Sequence, residues 1–516
     1  MIRPSSRFVL VALVATAGAA ASGYGCGGED PATNADAGGE TTLPDAAVVL
    51  PDGNVVTPDG ANPAEGGADA GATDGAAATD AADAAAEASV DAGPEAGPLF
   101  PGYVHYDVNH VIMTGQSNAL SQTNVAPRVT TDYANLMFTG GPAAGANPGA
   151  FVPLAAGDGG WAAHGMADRI SRFALEDFQF GVFPGYPASH DILVSNTARS
   201  GETYWCLRKG SCTYRNPPIT SFADGIAHAT KGMALAAAEG KTFVVRAVTV
   251  IHGEDNHQGI VANNPEFPLN GTDGSFNTIK NYRDGLLEWQ RDYQTDLQAV
   301  TGQAIPIPLL ISQLSGWNDT RFSLLAQYQY LAHKESGGKV VLVGASYPFQ
   351  FFSDCRHFTG ASRRQLGEYF AKAYKRIVFE GKAWEPVRPK TITRAGAVIT
   401  VQFHVPVPPL AFDTTLVPAA PNMGFDFLED GAMQTIANVA VTGPDTVQIT
   451  LAAAPGAGVK KLRYAQNQVP STCQGIGSNT GLGPGARGNL RDSDPTVSRY
   501  GYDLKNWSVA FEEDVP

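Results

Sequence analysis

The chain has 516 residues, of which 43% are hydrophobic and 16% charged, the composition of a soluble globular protein with room for two or three domains. Its net charge of −15 is not spread along the chain: residues 27–100 hold 15 acidic side chains and no Lys or Arg, whereas the part beyond Phe100 has 35 acidic against 33 basic residues, a net of −2. The acidity therefore carries no information about a substrate, and no nucleic-acid partner is expected.

Arg3 and Arg7 precede an apolar run from Phe8 to about Ala21, which is too short to span a bilayer and has the make-up of a secretory signal. The run ends in "SGYGCGG", so residues 1–26 read as a signal peptide. Cys26 follows as in a bacterial lipoprotein processing site, where a lipid would anchor the chain to a membrane. Gly23 stands where such sites usually carry Leu, and simple cleavage near Ala19–Ala21 is the other reading. Residues 27–100, rich in Ala, Gly, Asp and Pro, read as a disordered, self-repelling tether. Export to an oxidising compartment agrees with the remaining four cysteines, Cys206, Cys212, Cys355 and Cys473. Cys206 and Cys212 are near enough to staple a small loop, which leaves Cys355 to meet Cys473; free buried thiols are the alternative. No His/Cys spacing points to a metal site, and no cofactor is expected.

Five near-continuous β-branched runs follow: "VNHVIMT", "HDILVSNT", "TFVVRAVTVIH", "IPLLISQL" and "KVVLVGAS". Their lack of alternation predicts strands buried on both faces of a parallel sheet. Helical segments separate them, "GMADRISRFALEDF", "FADGIAHATKGMALAAAEG", "IKNYRDGLLEWQRDYQTDLQAVTG" and "LLAQYQYLAHKES", and "SRRQLGEYFAKAYKRIVFEG" closes the series. Residues 101–381 thus read as a doubly wound, flavodoxin-like α/β domain of five parallel strands with helices on both faces. Beyond it, "TITRAGAVITVQFHVPVPPLAFD", "NVAVTGPDTVQITLA" and "VKKLRYA" alternate and are broken by Gly, Pro and Asp. This pattern predicts a small accessory β-sandwich over 382–516, with "NWSVAF" as a last strand.

In a sheet of this kind the chemistry gathers at the carboxyl ends of the strands. The first strand ends in "TGQSN" with Ser117, and the second runs into "NTARSGETYW" with Gly201. The third ends in "IHGEDNHQG" with His252, Glu254, Asp255, Asn256 and His257, and after the fifth comes "SDCRHFTG" with Asp354 and His357. A serine becomes a nucleophile when a base takes its proton and an acceptor orients that base. Asp354 and His357, three apart in a loop, suit that pairing. Backbone N–H groups at Ser117 and Gly201 could receive a developing oxyanion.

Taken together, "GQSN", "GET…W", "HGE" and "DxxH" resemble the SGNH hydrolases, in particular the sialate O-acetylesterase-like branch of carbohydrate esterases, over roughly residues 104–380. The resemblance implies Ser117 as nucleophile, His357 as general base and acid, Asp354 as its orienter, Gly201 as an oxyanion donor and Glu254 in a supporting part. It also implies an acylated carbohydrate as substrate, with no metal or organic cofactor. The sequence departs from the family where His252 precedes Gly253, a position often held by Gln, so the oxyanion donor there is either His252 or Asn256. Glu202 replaces a frequent Gly, with no stated role. Gln116, Asn118, Trp161, Tyr204 and Trp205 are neighbouring substrate-contact candidates, with His257 and Gln258 as local hydrogen-bonding or substrate contacts.

Three functional readings follow: an exported serine esterase acting on acylated carbohydrate, a surface carbohydrate-binding lipoprotein whose hydrolase fold is idle, and an esterase for lipid or other non-sugar esters.

Overall fold

Val108–Gly115 is buried at all eight positions, as required of a strand at the centre of a sheet covered on both faces. In the computed structural model this strand, β1, pairs in parallel on both sides. Its partners are β4 (Ile192–Asn196) and β5 (Phe243–Ile251), in register from Asn109↔Ile192 and from Val108↔Phe243. On the far side of β5 follow β6 (Leu309–Ile311) and β7 (Val340–Leu342), again parallel. All five expected strands are therefore present, with the second lying outside the first.

The sheet has seven strands rather than five. Beyond β4 it continues into β2 (Leu136–Phe138), parallel to β4, and then β3 (Phe151–Pro153), antiparallel to β2. Each has three residues and is partly exposed, and Gly and Pro fill the stretch between them, so neither makes the apolar run by which the others are recognised.

The described residues are 48–49, 55–56, 100, 102–120, 133–155, 161–179, 189–210, 212, 216–261, 265–315, 324–352, 354, 356–466, 468–469, 485–498, 500–501 and 503–516. The expected signal segment with Cys26, nearly all of the expected tether, Cys355 and Cys473 lie outside them. The chain divides into two units, Met1–Asp91 and Ala92–Pro516. In the first, Val48–Val49 pairs antiparallel with Val55–Val56. Everything else described here belongs to the second. Among the described residues, no helix is long and apolar enough to cross a membrane.

Helices cover both faces of the large sheet. Val111 and Met113 of β1 pack with α1 (Trp161–Gln179) and α7 (Gly360–Tyr374), through Met166, Ile170, Leu366 and Phe370. Ile112, one residue out of phase, faces the other cluster with α3 (Ser221–Ala238), α5 (Tyr282–Thr301) and α6 (Leu324–Glu335). Two further helices, α2 (Tyr204–Leu207) and α4 (Glu254–Val261), arise within strand-end segments where the sequence predicts no helix. Both are short, and α4 is polar, so neither carries an apolar stripe long enough to be seen in the sequence.

After α7 the chain is β-rich. One antiparallel sheet takes the order β8-β9-β13-β12, from Arg388–Ala395, Val398–His404, Thr446–Leu451 and Ile436–Val441. "TGPDTV" joins β12 to β13 as a hairpin. The other takes the order β11-β10-β14-β15, from Ala432–Gln434, Phe425–Glu429, Lys460–Tyr464 and Phe511–Asp514. Their buried faces share one apolar cluster with the α3/α5/α6 side of the large sheet. The final strand starts at Phe511, the last residue of "NWSVAF": before it, Ser508 N donates to Leu490 O and Val509 N to Val387 O, and the strand's start is bonded to the α/β part. There the Gln313 side-chain amide donates to Ala510 O and accepts from Ala510 N, at 2.8 and 2.7 Å, and Gln327 does the same for Glu512.

Residues 485–516 also run across α7. Lys372 and Asp494 form an ion pair at 2.8 Å with both side chains buried, the Tyr369 hydroxyl donates to Lys505 O, and Ser498 Oγ donates to Glu368 at 2.7 Å. Glu368 is fully enclosed. Burial pushes its carboxyl up to about 7, against the opposing pull of Ser498, Arg169 and Arg364 and with Asp168 adding to the rise. A carboxyl whose folded-state pKa lies above its ordinary 4.5 holds its proton more tightly in the fold, so stability is lost as pH rises through that interval. We predict that Glu368→Gln removes this loss. In urea unfolding, the difference between variant and wild type should grow by roughly 3 kcal/mol between pH 4.5 and pH 7, at ~1.4 kcal/mol per pKa unit. A difference that does not change with pH contradicts this.

Candidate active site

β1 stops at Gly115, whose φ is +128° and where a Cβ would lie 2.1 Å from Ile251 O. Only glycine fits, on both counts. The close approach lets Gln116 N–H donate to Ile251 O at 3.0 Å, and the chain then turns through a single 3₁₀ turn, Ser117–Ala119. Ser117 is left 4% exposed at the carboxyl end of the sheet.

Ser117 Oγ lies 2.7 Å from His357 Nε2, and His357 Nδ1 lies 2.5 Å from Asp354 Oδ2. The other carboxylate oxygen, Oδ1, accepts the backbone N–H groups of Arg356 and His357, each at 3.0 Å. Burial opposes ionisation of Asp354, but the imidazole and these two N–H donors outweigh it and hold the carboxyl well below the usual range. An ionised Asp354 requires a proton on Nδ1, which leaves Nε2 as the acceptor for the serine hydroxyl.

Asn118, a substrate-contact candidate in the sequence, is buried and its side chain is engaged on both sides of His357. Its Nδ2 donates to Arg356 O at 3.1 Å and to Glu254 Oε1 at 2.6 Å, while its Oδ1 accepts from Phe358 N at 2.9 Å and from Arg363 Nη2 at 3.4 Å. It therefore grips the backbone on either side of His357. Gln116 is likewise buried: its Oε1 accepts Gly253 N and Asp255 N at 3.3 and 3.4 Å, and its Nε2 donates to Asp255 at 2.8 Å, fixing the start of α4.

The segment after β4 lies along the end of β1, with Thr197 N donating to Met113 O and Arg199 N to Gly115 O. It leads to Gly201, which is exposed and has a φ of +69°. The expected donors from the third strand are placed differently from the sequence reading. His252 is enclosed, and burial holds its pKa down to about 4, so the ring is neutral. Its Nε2–H donates to Glu202 O at 3.0 Å and its Nδ1 accepts from the Tyr282 hydroxyl at 2.7 Å. Both nitrogens are thus engaged in the wall, and His252 braces the Gly201 loop instead of facing a reacting oxygen. The Asn256 amide nitrogen donates to Glu266 at 2.7 Å, and its oxygen accepts Tyr204 N at 2.9 Å. Tyr204 is itself a core residue, edge-on to Trp289 with its hydroxyl on Glu288. Trp205 is 40% exposed. Trp161 is the first residue of α1, His257 N donates to Gly253 O within the turn that opens α4, and Gln258 is half-buried on that helix. A disulfide joins Cys206 to Cys212 across the loop after α2.

Arg363, Glu266 and Tyr282 complete the surroundings and were not expected from the sequence. Arg363 belongs to the closing helical segment "SRRQLGEYFAKAYKRIVFEG" and is buried at the start of α7. Burial lowers its pKa to about 10, opposed by the Asp354 and Glu254 carboxylates, and it stays charged at neutral pH. Burial raises Glu254, against the pull of the Asn118 amide. Among the described residues no group of His, Cys, Asp or Glu is arranged to hold a metal ion.

No family model matches the chain, and no curated protein matches it. Among solved structures, it is similar to XAC1771, a carbohydrate acetylesterase from Xanthomonas citri, with 14% identity over 78% of this chain and 80% of that one and a TM-score of 0.45. It is also similar to the Arabidopsis thaliana protein AT4G34215, with 14% identity over 52% of this chain and 97% of that one and a TM-score of 0.32. A third is BT4096, a gut microbial diltiazem-metabolizing enzyme, with 10% identity over 65% and 71% of the two chains and a TM-score of 0.23. Likeness this distant leaves the functional argument to the site itself.

Removing the Asn118 side chain should be costly, because Phe358 N–H, Arg356 O and Glu254 lose partners in a buried place. We predict that Asn118→Ala lowers stability by about 2–4 kcal/mol in urea unfolding, the penalty for orphaning two or so buried polar groups. A loss below about 0.5 kcal/mol contradicts the clamp.

Proposed function

We propose that the chain is an exported serine esterase that removes acetyl or similar small acyl groups from carbohydrate through an acyl-enzyme. The observation that carries this reading is the unbroken hydrogen-bonded line from Ser117 through His357 to Asp354. Ser117 Oγ attacks the ester carbonyl as His357 Nε2 takes its proton, and the imidazolium that forms is stabilised by ionised Asp354. The N–H groups of Ser117 and Gly201 receive the oxyanion. Collapse of the tetrahedral intermediate breaks the bond to the sugar oxygen, which leaves with the proton from His357. Water, deprotonated by the same nitrogen, then attacks the acyl-serine and releases the acid and Ser117. The reading needs no metal or organic cofactor.

Carbohydrate as the alcohol part is supported by the motif series that resembles the sialate O-acetylesterase-like branch. Export is supported by Arg3, Arg7 and the apolar run after them, by the Cys206–Cys212 disulfide, and by the acidic spacer between that run and the folded part. On this reading Cys26 would carry a lipid that tethers the enzyme to a membrane surface.

The test is hydrolysis of p-nitrophenyl acetate by wild type and Ser117→Ala. The expected loss in kcat is on the order of 10⁴-fold with the unfolding midpoint unchanged, as when the nucleophile of a catalytic triad is removed. Near wild-type turnover by the variant would sink the assignment, and long-acyl esters turned over faster than acetyl would redirect it to lipid.

A further inference from the structure

Among the described residues two aromatic side chains are exposed, Trp205 at 40% and Phe276 at 79%. Trp205 lies in α2 and Phe276 in the turn before α5, and Arg208 connects the two segments. Its guanidinium carbon sits 4.4 Å from the centre of the Trp205 ring, while Nη1 donates to Asn270 O at 2.7 Å and to buried Glu288 at 3.0 Å. Asn270 in turn accepts Asn277 N, next to Phe276, through its side-chain oxygen at 2.9 Å. The Phe276 loop is bonded within itself, with Asp273 accepting Ser275 N at 2.9 Å and Gly271 N donating to Ser275 O at 2.8 Å, so the ring is held outward.

The Trp205 end is fixed as firmly. Trp205 N donates to Glu266 at 2.9 Å, the Thr203 hydroxyl donates to the same carboxyl, and the Cys206–Cys212 disulfide closes the loop behind. Trp205 is four positions from Gly201, so their Cα atoms are at most about 14 Å apart even if fully extended. The Trp205 end of the rim therefore lies within that distance of the proposed oxyanion position. Its rings stand singly among polar groups: Lys209, Asn270, Thr272, Asp273, Ser275 and Asn277. A lipid or a protein partner would call for a contiguous apolar patch. Isolated ring faces bordered by hydrogen-bonding groups suit a sugar, which offers C–H faces to aromatic rings and hydroxyls around its edge.

Resting on the esterase reading, we propose that Trp205, Arg208 and Phe276 form a binding rim for sugar residues next to the acylated one, so that the substrate is an oligosaccharide or polysaccharide rather than a free acylated monosaccharide. In this arrangement the open faces of Trp205 and Phe276 stack on successive parts of the glycan, and Arg208 keeps the indole in place.

The test measures binding, which does not require turnover. Partially acetylated hexamers of xylose, mannose and N-acetylglucosamine are titrated calorimetrically into the full chain carrying Ser117→Ala. The same titrations follow with Trp205→Ala, with Phe276→Ala and with remote Val459→Ala added. At least one hexamer should bind more tightly than its acetylated monosaccharide, and each aromatic truncation should weaken it by roughly three- to tenfold, the range aromatic contacts give. Val459→Ala should leave it unchanged. The rim is overturned if no hexamer binds, if hexamer and monosaccharide bind alike, or if neither truncation changes the affinity. Turnover of p-nitrophenyl acetate by wild type, measured separately, reports on the esterase reading, so the two can fail independently.

Discussion

The candidate site depends on one side-chain amide. Ser117 and His357 are 240 residues apart in the chain, and His357 is carried on the segment between β7 and α7. Asn118 closes that distance. From the turn that presents the serine, it bonds the backbone on both sides of the histidine. A peptide-like group that both donates and accepts is what such a grip needs, and its burial raises the cost of letting go. Glu254 and Arg363 then fix the amide's orientation, one accepting from its nitrogen and the other donating to its oxygen.

The electrostatics follow from the same packing. Two carboxyls, Asp354 and Glu254, lie close to the buried guanidinium of Arg363, and their environments differ. Asp354 receives two backbone N–H groups and the imidazole, which keep it ionised, while Glu254 is enclosed and driven toward its neutral form. Arg363 interacts with both and keeps its charge, so a cation and at least one anion share this buried place. His252 contributes through its neutrality. A charged ring could not accept from Tyr282 while donating to the Glu202 carbonyl, and these two bonds hold the loop that leads to Gly201.

Much of this was legible in the sequence, in proportion to how local its cause is. Long apolar runs announced the five central strands, and the amphipathic or Gly-terminated stretches announced five helices. The strand-end clusters were legible because strands that run parallel deliver their carboxyl ends to one edge. What could not be read depends on contacts between distant segments. The three-residue strands β2 and β3 have too few residues to show a pattern. Arg363 looks like a solvent-facing helix charge until α7 is docked. The difference between His252 as donor and His252 as brace turns on Tyr282, thirty positions away in sequence. The clamp made by Asn118 was hidden for the same reason: its partners, Arg356 and Phe358, are near it only in the folded chain.

The central claim is that the oxygen of Ser117, and no other, is activated for attack on an acyl carbon. Its most direct measurement is reaction of the full chain with a serine-directed alkyl phosphonate, followed by peptide mass spectrometry. The account predicts one adduct per chain, located on Ser117 and formed far more slowly when His357 is replaced by Ala. An unlabelled Ser117, or an adduct on another residue that abolishes ester hydrolysis, would contradict it.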